Sequence, residues 1–299
     1  MTAAKSAPAQ VIAGRAIAGR IQKHLEEEIS RLRGRPELRI LYFDTPASQV
    51  YWRAQEQVAR RLGIATGPAE SDDWKAGSYR SPWQVRSVEM ENIIQYWNQD
   101  KNVHGIFVHQ PMPPQIDPQR ISAVIDPQKD VEGIHPQNSA RRFFARSRIG
   151  SCTALAVMEL IESTGVALEG KDAVVVGHSE IVGRPVSMLL LDKLATTTVC
   201  HIGTSKANRL EDHVRRADIL VVAVGCPHFI PGAWIKPGAI VIDVGINVVK
   251  GHVIGDVDFD AAKERAGFIS PVPGGVGPVT VMMVMKNALE AFRQQTGQT

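Results

Sequence analysis

Hydrophobic and polar residues follow two patterns along the chain. From Ile12 to Leu32, apolar residues recur at intervals of three and four, which predicts an amphipathic helix that ends near Gly34. Short apolar runs bounded by Gly, Pro and polar residues instead predict buried strands. By these criteria the first half contains a helix at 12–32, a strand at 38–43, a helix at 48–62, an irregular segment at 69–81, a helix at 82–98, a strand at 105–108, and loops at 110–118 and 127–138.

The second half follows a stricter order of strand and helix. Its predicted elements are a helix at 153–164, a strand at 173–176, a helix at 181–191, a strand at 197–200, a helix at 210–216, strands at 219–224, 240–244 and 268–269, a loop at 271–278, and a helix at 281–293. Strands that alternate with helices in this way build parallel sheets. The pattern therefore predicts the α/β fold class.

Length and composition narrow the class of protein further. A chain of 299 residues suits two domains, and its content of 44% hydrophobic and 22% charged residues is typical of a folded chain rather than a disordered one. The 34 Lys and Arg residues nearly balance the 31 Asp and Glu residues, which leaves a net charge of +3. The sequence has no basic stripe interleaved with aromatic residues, so nucleic-acid binding is not expected.

Neither a membrane nor a metal is expected to partner the chain. No uninterrupted apolar run approaches the ~18 residues that a membrane span requires. The first ten residues also lack the apolar core of a secretory signal. Cys152, Cys200 and Cys226 are too few for a disulfide framework and lack zinc-ligand spacing. We expect a cytoplasmic protein without a bound metal.

A glycine-rich turn separates a predicted strand from a predicted helix at residues 174–185. Gly177, Ser179 and Gly183 lie in this turn, where backbone N–H groups at the start of a helix can bind a pyrophosphate. The pattern departs from GxGxxG and, taken alone, also fits a plain strand-to-helix turn. The next strand ends at His201 without a carboxylate for the ribose hydroxyls, so specificity for NAD does not follow.

A second unusual segment is the loop at 271–278, which reads PVPGGVGP. Proline restricts the backbone and glycine lets it approach a ligand closely. The segment therefore indicates a rigid loop against a flat ligand. The alternative is a purely structural connection between two domains.

Together these segments resemble the bifunctional methylenetetrahydrofolate dehydrogenase/methenyltetrahydrofolate cyclohydrolase family over nearly the whole chain, from Gly14 to the last helix. The segments that carry the resemblance are PASQVY at 46–51, GIFVHQPMP at 105–113, KDVEGIHP at 129–136, VGHSEIVGRP at 176–185, WIKPGAIVIDVGIN at 234–247 and PVPGGVGP at 271–278.

The resemblance implies two α/β domains and a cleft that holds a nicotinamide against a pterin. Residues 1–150 plus 279–299 correspond to a folate-binding catalytic domain closed by the C-terminal helix, and residues 151–278 to a Rossmann-like NAD(P)-binding domain. Implied substrate contacts are Ser48, Val108, Gln110, Pro111, Pro273, Gly274, Gly275, Val276 and Gly277. Implied cofactor contacts are Gly177, His178, Ser179, Val182, Gly183, Pro185, His201, Gly225, Ile246 and Thr280. Members of the family are usually cytosolic homodimers that use NADP.

Three polar positions of the implied folate site differ from the family pattern. The family has a Tyr followed four residues later by an acid/base Lys, whereas this chain has Tyr51 and Gln55. His109 replaces the Gln of the usual Val-Gln-Leu-Pro motif. Glu132 replaces the second Asp of Lys-Asp-Val-Asp-Gly, which grips the pterin. We therefore take Tyr51, Gln55, His109 and Glu132 as the candidate catalytic residues.

These changes affect the two family reactions differently. Oxidation of a methylene group requires that its carbon face the nicotinamide, and Gln55 can still position a substrate. Hydrolysis of the methenyl product needs an activated water and proton transfers, and an amide does not exchange protons near neutral pH. We expect the cyclohydrolase activity to be lost or reduced.

His109 has three possible roles. Its unperturbed pKa of about 6.5 suits acid/base chemistry, with Glu132 as a partner that orients the ring. It can instead fill the site of the family Gln and form hydrogen bonds, or have no role.

The cofactor preference also stays open. His178 stands where the family often has Arg, and Ile202 where it often has Arg or Ser, which weakens two contacts to a 2′-phosphate. Arg184, Lys206 and Arg209 either replace that charge or lie on the solvated surface. The expected cofactor is therefore NADP or NAD, and the expected substrate is a tetrahydrofolate derivative.

Two further hypotheses compete with a methylenetetrahydrofolate dehydrogenase. One is a specialised paralogue that acts on a modified folate or another one-carbon adduct, which the joint change at positions 55, 109 and 132 would accompany. The other is a catalytically silent folate or nucleotide binder, which ligands would stabilise without turnover.

Overall fold

The computed structural model describes residues 8–67, 74–144 and 148–298. The chain divides into two compact units. The six-stranded unit contains the described residues up to Arg20 together with Thr153–Thr280, and the three-stranded unit contains those in Ile21–Cys152 and from Val281 onward. Both units are built from parallel strands and helices, and the predicted two-domain α/β fold class is confirmed.

The six-stranded unit is a Rossmann-like parallel sheet. Its sheet strands are β1 (Gln10–Val11), β5 (Asp172–Val176), β6 (Thr196–Cys200), β7 (Ile219–Val222), β8 (Ile240–Asp243) and β11 (Phe268–Ile269), and β9 (Asn247–Val249) with β10 (His252–Ile254) forms a separate antiparallel hairpin. Its helices are α7 (Gly183–Asp192), α8 (Ile202–Lys206), α9 (Leu210–Arg216), α10 (Phe259–Lys263) and most of α6 (Cys152–Glu162).

The strand order β1-β11-β8-β7-β5-β6 places a change of direction between β5 and β7. The chain runs from β5 outward to β6 and then returns to the other side of β5 as β7. Nearly every residue of β5, β7 and β8 is a buried Val, Ile, Leu or Ala, as expected for parallel strands covered on both faces. In such sheets, ligands bind outside the carboxyl ends of the strands where the order reverses.

The N-terminal strand belongs to the six-stranded sheet. Gln10 and Val11 pair in parallel with Phe268 and Ile269. The sequence analysis had instead placed residues 1–150 in the folate-binding domain. The predicted domain boundaries at 150/151 and 278/279 also differ by two residues from the boundaries of the two units, which lie at 152/153 and 280/281. The difference at the N-terminus arises because a two-residue strand carries no periodicity that reveals its partner.

The three-stranded unit has the strand order β3-β2-β4. Its strands are β2 (Leu38–Phe43), β3 (Tyr79–Ser81) and β4 (Gly105–Val108), and its helices are α2 (Pro46–Leu62), α3 (Ser87–Gln99), α4 (Pro118–Val124), α5 (Pro136–Phe143) and most of α1 (Gly14–Ser30) and α11 (Val276–Thr296). All six residues of the central strand β2 are buried. Because β3 and β4 pair with opposite sides of β2, this sheet also reverses its strand order beside a covered strand.

Several predicted elements keep their bounds and others shift for local reasons. The strands at 38–43, 105–108 and 268–269 and the helix at 210–216 are confirmed as predicted. Helix α3 begins at Ser87 rather than at residue 82, because Arg86 and Glu89 form a capping box there. Helix α11 begins at Val276, inside the segment predicted as a loop. The irregular segment predicted at 69–81 contains β3, and its residues 69–73 lie outside the described residues.

No helix in the described ranges is both long enough and apolar enough to cross a membrane.

The core of the three-stranded unit predicts a measurable difference between two substitutions in α3. Ile94 is fully buried in a cluster with Met90 and Trp97, whereas Val88 on the same helix is 49% exposed. We expect Ile94→Ala to lower the free energy of unfolding by about 2–5 kcal/mol, because it leaves a cavity. Val88→Ala serves as the control, with an expected loss of less than about 1 kcal/mol. Urea unfolding followed by tryptophan fluorescence measures both, and equal losses would contradict the assigned packing.

Candidate active site

Helix α2 presents three predicted site residues on one face. Ser48, Tyr51 and Gln55 are spaced three and four residues apart, so they lie on the same side of the helix. The hydroxyl of Thr45 accepts a hydrogen bond from the backbone N–H of Ser48, which fixes the first turn directly after β2. Gln55 is fully buried, and the spacing therefore directs a polar side chain into the interior.

His109 follows β4, directly beside the carboxyl end of β2. Its backbone N–H donates to the carbonyl oxygen of Leu41, which continues the sheet by one hydrogen bond. The ring is buried, and its two nitrogens lie 2.8 Å from Ser48 Oγ and 2.7 Å from Gln55 Oε1. The structure thus brings together three of the predicted residues from the two strand ends at which the sheet order reverses.

The hydrogen bonds around His109 fit a neutral imidazole that is protonated on Nε2. Gln55 Oε1 only accepts, so His109 Nε2–H donates to it. Nδ1 then accepts from the hydroxyl of Ser48, whose oxygen in turn accepts from the backbone N–H of Phe43 at 2.9 Å. Burial lowers the pKa of His109 to about 3. His109 is therefore uncharged at neutral pH, and both ring nitrogens are occupied.

Glu132 is positioned by a neighbouring carboxylate. The buried side chain of Asp130 accepts from the backbone N–H groups of Glu132, Gly133 and His135 at 2.8–3.2 Å and from Asn138 Nδ2 at 2.9 Å. These bonds fix the backbone of the loop predicted at 127–138.

The carboxyl group of Glu132 is itself protonated at neutral pH. Burial, followed by the nearby charge of Asp130, raises its pKa to about 8. Its Oε2 atom is buried and has no hydrogen-bond partner among the described residues. Ser48 and Gln55 occupy both nitrogens of the His109 ring, so Glu132 does not form the predicted hydrogen bond with His109.

Tyr51 completes the group. Its ring centroid lies 5.0 Å from that of His109. Burial raises the pKa of the Tyr51 hydroxyl well above its ordinary value, and Cys152 and Glu132 raise it further. Tyr51 therefore remains a hydrogen-bond donor. At neutral pH the candidate catalytic residues carry no net charge.

Val108, Gln110 and Pro111 flank His109 in the chain. Val108 is buried in β4, whereas Gln110 and Pro111 are partly or fully exposed after the strand. The remaining predicted substrate contacts lie in the six-stranded unit. There Pro273, Gly274 and Gly275 precede α11, Gly274 has a φ of +105°, and Val276 and Gly277 are the first two residues of the helix.

The glycine turn of the six-stranded unit leaves no room for side chains. A Cβ atom at Gly177, whose φ is +119°, would overlap the carbonyl oxygen of Ala223 after β7, and one at Gly183 would overlap the carbonyl oxygen of Gly177. Ser179 Oγ accepts from the N–H groups of Val182 and Gly183 at 3.2 and 3.4 Å. The turn thus brings the start of α7 close to the ends of β5 and β7.

Other predicted cofactor contacts surround this turn in different ways. The rings of His178 and His201 lie 5.3 Å apart, centroid to centroid. Gly225 has a φ of +66° and Ile246 is largely exposed. Pro185 lies in the first turn of α7, and the hydroxyl of Thr280 donates to the carbonyl oxygen of Val276 within α11.

Three buried polar residues that hold these loops were not predicted from the sequence: Asp243, Asp256 and Asn287. Asn287 Nδ2 donates to the carbonyl oxygens of Val131 and Gly150, each at 2.8 Å. Asp243 could have been found from the sequence, because it ends the apolar run of a predicted strand. Within the described ranges, no cluster of three or more His, Cys, Asp or Glu side chains is placed to bind a metal.

Comparison with known proteins gives matches over nearly the whole chain. Residues 12–132 match the model of the tetrahydrofolate dehydrogenase/cyclohydrolase catalytic domain, and residues 151–296 match that of the tetrahydrofolate dehydrogenase/cyclohydrolase NAD(P)-binding domain. The bifunctional protein FolD of Halothermothrix orenii is 44% identical over 288 residues, which cover 94% of this chain and 97% of the relative.

Solved structures agree with this match. The methylenetetrahydrofolate dehydrogenase-cyclohydrolase of Trypanosoma brucei, solved with NADP and an inhibitor, is 38% identical with a TM-score of 0.89, and 97% and 99% of the two chains are covered. The FolD enzyme of Campylobacter jejuni is 35% identical with a TM-score of 0.87, and 95% and 99% are covered. The resemblance deduced from the sequence motifs is confirmed.

The buried imidazole predicts an unusual titration. Because the pKa of His109 is about 3, its ring signals in NMR should keep the neutral pattern between about pH 8 and pH 5. The unfolded chain binds this proton near pH 6.5. The stability contributed by neutral His109 is therefore lost as the pH falls from about 6.5 toward 3. His109→Gln, which identifies the signals, should remove that part of the pH dependence. Titration of the ring near pH 6.5 would contradict the assigned hydrogen bonds.

Proposed function

Because this chain belongs to the tetrahydrofolate dehydrogenase/cyclohydrolase family, we propose that it oxidises 5,10-methylenetetrahydrofolate to 5,10-methenyltetrahydrofolate with NADP or NAD, and that its cyclohydrolase activity is lost or reduced. Family membership makes the chain an NAD(P)-dependent enzyme of one-carbon folate metabolism. What distinguishes it within the family is the uncharged chain of hydrogen bonds from Ser48 through His109 to Gln55. These hydrogen bonds are the main support for a lost or reduced cyclohydrolase activity.

An uncharged site favours the oxidation step. Removing hydride from the methylene carbon leaves a positive charge shared by the two adjacent nitrogens of the folate. A cationic side chain at position 55 would oppose that charge, whereas the Gln55 amide and the neutral His109 ring do not. The task left to Tyr51 and Gln55 is to hold the substrate in a reactive orientation.

The same site is poorly equipped for hydrolysis. The amide of Gln55 does not exchange protons near neutral pH, and both nitrogens of His109 are engaged while its pKa is near 3. Of the candidate catalytic groups, only Glu132 has a pKa close to neutrality. Its carboxylate would hold the pterin, however, so we assign no proton transfer in hydrolysis to His109 or to Glu132.

One buried polar atom supports folate binding at this site. Glu132 Oε2 lacks a hydrogen-bond partner among the described residues, whereas the Gln55 side chain interacts with His109 and Tyr51. Buried polar groups are normally satisfied, and a bound ligand is one way to satisfy them. A pterin ring offers both N–H donors and acceptors at its edge. We propose that Ser48, Val108, Gln110 and Pro111 of the three-stranded unit also contact the substrate.

The glycine turn fits a dinucleotide. At Gly177 and Gly183 the space that a Cβ atom would need is filled by the protein's own backbone, so the two glycines let the start of α7 lie close to the strand ends. A pyrophosphate can bind the backbone N–H groups at such a helix start. Gly177, Ser179, Val182, Gly183 and the start of α7 would hold it. When bound, the cofactor supplies a nicotinamide carbon that accepts hydride.

The choice between NADP and NAD is part of the proposal. The end of β6 presents His201 beside His178 and no carboxylate, so nothing there repels a 2′-phosphate. The solved relative from Trypanosoma brucei carries NADP, which also supports NADP for this chain. We further propose a cytoplasmic homodimer, as the family resemblance implies, with folate bound mainly by the three-stranded unit and the dinucleotide by the six-stranded unit.

A single spectroscopic trace tests both halves of the proposal. Purified protein is mixed with 5,10-methylenetetrahydrofolate and NADP or NAD, and absorbance reports reduced nicotinamide and the methenyl product together. We expect reduced cofactor with accumulating methenyltetrahydrofolate. Reduced cofactor without accumulation would contradict the loss of cyclohydrolase activity. Ligand-induced stabilisation without turnover would favour the silent binder.

A lysine at position 55 tests the role of the lost cation. We expect Gln55→Lys to raise methenyl hydrolysis by about 10²-fold or more, since proton transfer by a positioned group contributes about that much. The matched control is Gln57→Lys, which adds the same charge at an exposed position of α2 and should change neither rate. If hydrolysis stays low even in the double variant Gln55→Lys, His109→Gln, these positions alone did not redirect the chemistry.

The proton on Glu132 predicts that folate binding depends on pH. Free Glu132 keeps its proton up to about pH 8, and it must lose that proton to accept two N–H groups of a pterin. Affinity for the substrate should therefore rise as the pH approaches 8 and then level off. Calorimetry at pH 7 in buffers of different ionisation enthalpy should detect about one released proton. Glu132→Gln should abolish the release, and Glu27→Gln, an exposed control, should not; release that persists in Glu132→Gln would exclude this role.

A further inference from the structure

Two buried carboxylates of the six-stranded unit lie outside the chemistry described so far. Asp243 ends β8, and Asp256 follows the β9–β10 hairpin. Both are buried, and neither forms an ion pair with a described residue. Burying a charge without a counter-ion is costly unless hydrogen bonds compensate.

Asp256 holds the loop that follows β7. Its Oδ2 atom accepts from the backbone N–H groups of Val224 and Gly225 at 2.7 and 2.9 Å, and its Oδ1 atom accepts from that of Cys226 at 2.9 Å. Three consecutive N–H groups thus converge on one carboxylate. Oδ1 also accepts from Asn247 Nδ2 at 2.9 Å, which ties the loop after β7 to the start of β9.

Asp243 holds Asp256 in turn. Its Oδ1 atom accepts from the backbone N–H groups of Gly245 and Asp256 at 2.9 and 3.0 Å, and its Oδ2 atom accepts from that of Val257 at 2.9 Å. Burial raises the pKa of Asp243 to about 6, although these hydrogen bonds act in the opposite direction. The buried position of Asp243 therefore opposes its ionisation, and the hydrogen bonds offset only part of that electrostatic cost.

The backbone is shaped to admit both carboxylates. A Cβ atom at Gly245 would overlap the carboxyl group of Asp256, and one at Gly255 would overlap Oδ2 of Asp243. Both glycines have φ angles outside the left-handed region, so close approach rather than backbone conformation requires them.

The loops held in this way lie at the carboxyl ends of β7 and β8. Ala223, which precedes the first loop, packs against Gly177 of the glycine turn. The loops also contain Gly225 and Ile246, two of the proposed cofactor contacts. We infer that Asp243 and Asp256 are positioning residues, which hold the loops after β7 and β8 in the conformation that binds the nicotinamide dinucleotide. This inference rests on the proposed cofactor.

Asp256→Asn tests the inference. An amide keeps the size of the side chain but places an N–H donor where two backbone N–H groups now point. We expect the Kd for NADPH, measured by its fluorescence without folate, and the KM for NADP to rise roughly tenfold or more, while kcat changes by less than about threefold. Asp258→Asn is the matched control, because Asp258 caps α10 two residues away and Asn caps equally well.

Asn247→Ala provides a milder variant should Asp256→Asn fail to fold. It removes one of the four donors to Asp256, and we expect a rise of about threefold in both constants. Thermal unfolding is recorded for every variant. A lower melting temperature with unchanged Kd and KM in both variants would show a structural role only and would overturn the inference.

Direct binding separates this inference from the proposed function. If wild-type protein binds NADPH or NADH but does not oxidise the folate, the proposed reaction fails, and the Kd values of the variants still decide the role of the two carboxylates. If wild-type protein binds neither dinucleotide, both the inference and the cofactor proposal are overturned.

Discussion

Both parallel sheets of this protein reverse their strand order beside a central strand, and the candidate chemistry depends on that reversal. In the three-stranded unit, β3 and β4 lie on opposite sides of β2, so the chain leaves their carboxyl ends in different directions. Ser48 and His109 follow β2 and β4 at this point. In the six-stranded unit, the glycine turn follows β5 and lies against the end of β7. A crevice forms at such a point because no connection covers it.

Buried aspartates hold the loops at both places. Asp130 accepts from three backbone N–H groups of its own loop. Asp256 accepts from three that follow β7, and Asp243 accepts from three that follow β8 or the β9–β10 hairpin. Loops cannot satisfy their own backbone as helices and sheets do, so a carboxylate acceptor lets them be both irregular and fixed. In the free protein the candidate catalytic side chains are neutral at neutral pH, whereas the buried aspartates bind the supporting backbone.

The sequence predicted the elements better than it predicted the contacts. The apolar runs of β2 and β4 located both strands, and the motifs located the residues of the site. The roles of His109 and Glu132 depend on neighbours that are distant in sequence. Ser48 and Gln55 reach the His109 ring from another element, so residue type alone could not show that both nitrogens are occupied. Asp243 and Asp256 escaped notice because they are thirteen positions apart, with the β9–β10 hairpin between them.

The strand pairing of Gln10 and Val11 has a consequence for synthesis of the chain. Their partners, Phe268 and Ile269, follow about 260 residues later. A ribosome adds about 5–20 residues per second, so β1 is synthesised on the order of tens of seconds before its partner β11. The N-terminal strand therefore cannot nucleate folding, and it closes a sheet whose central strands have already paired. Truncated or stalled chains would leave that edge open to other strands, which makes late translation the vulnerable period for aggregation.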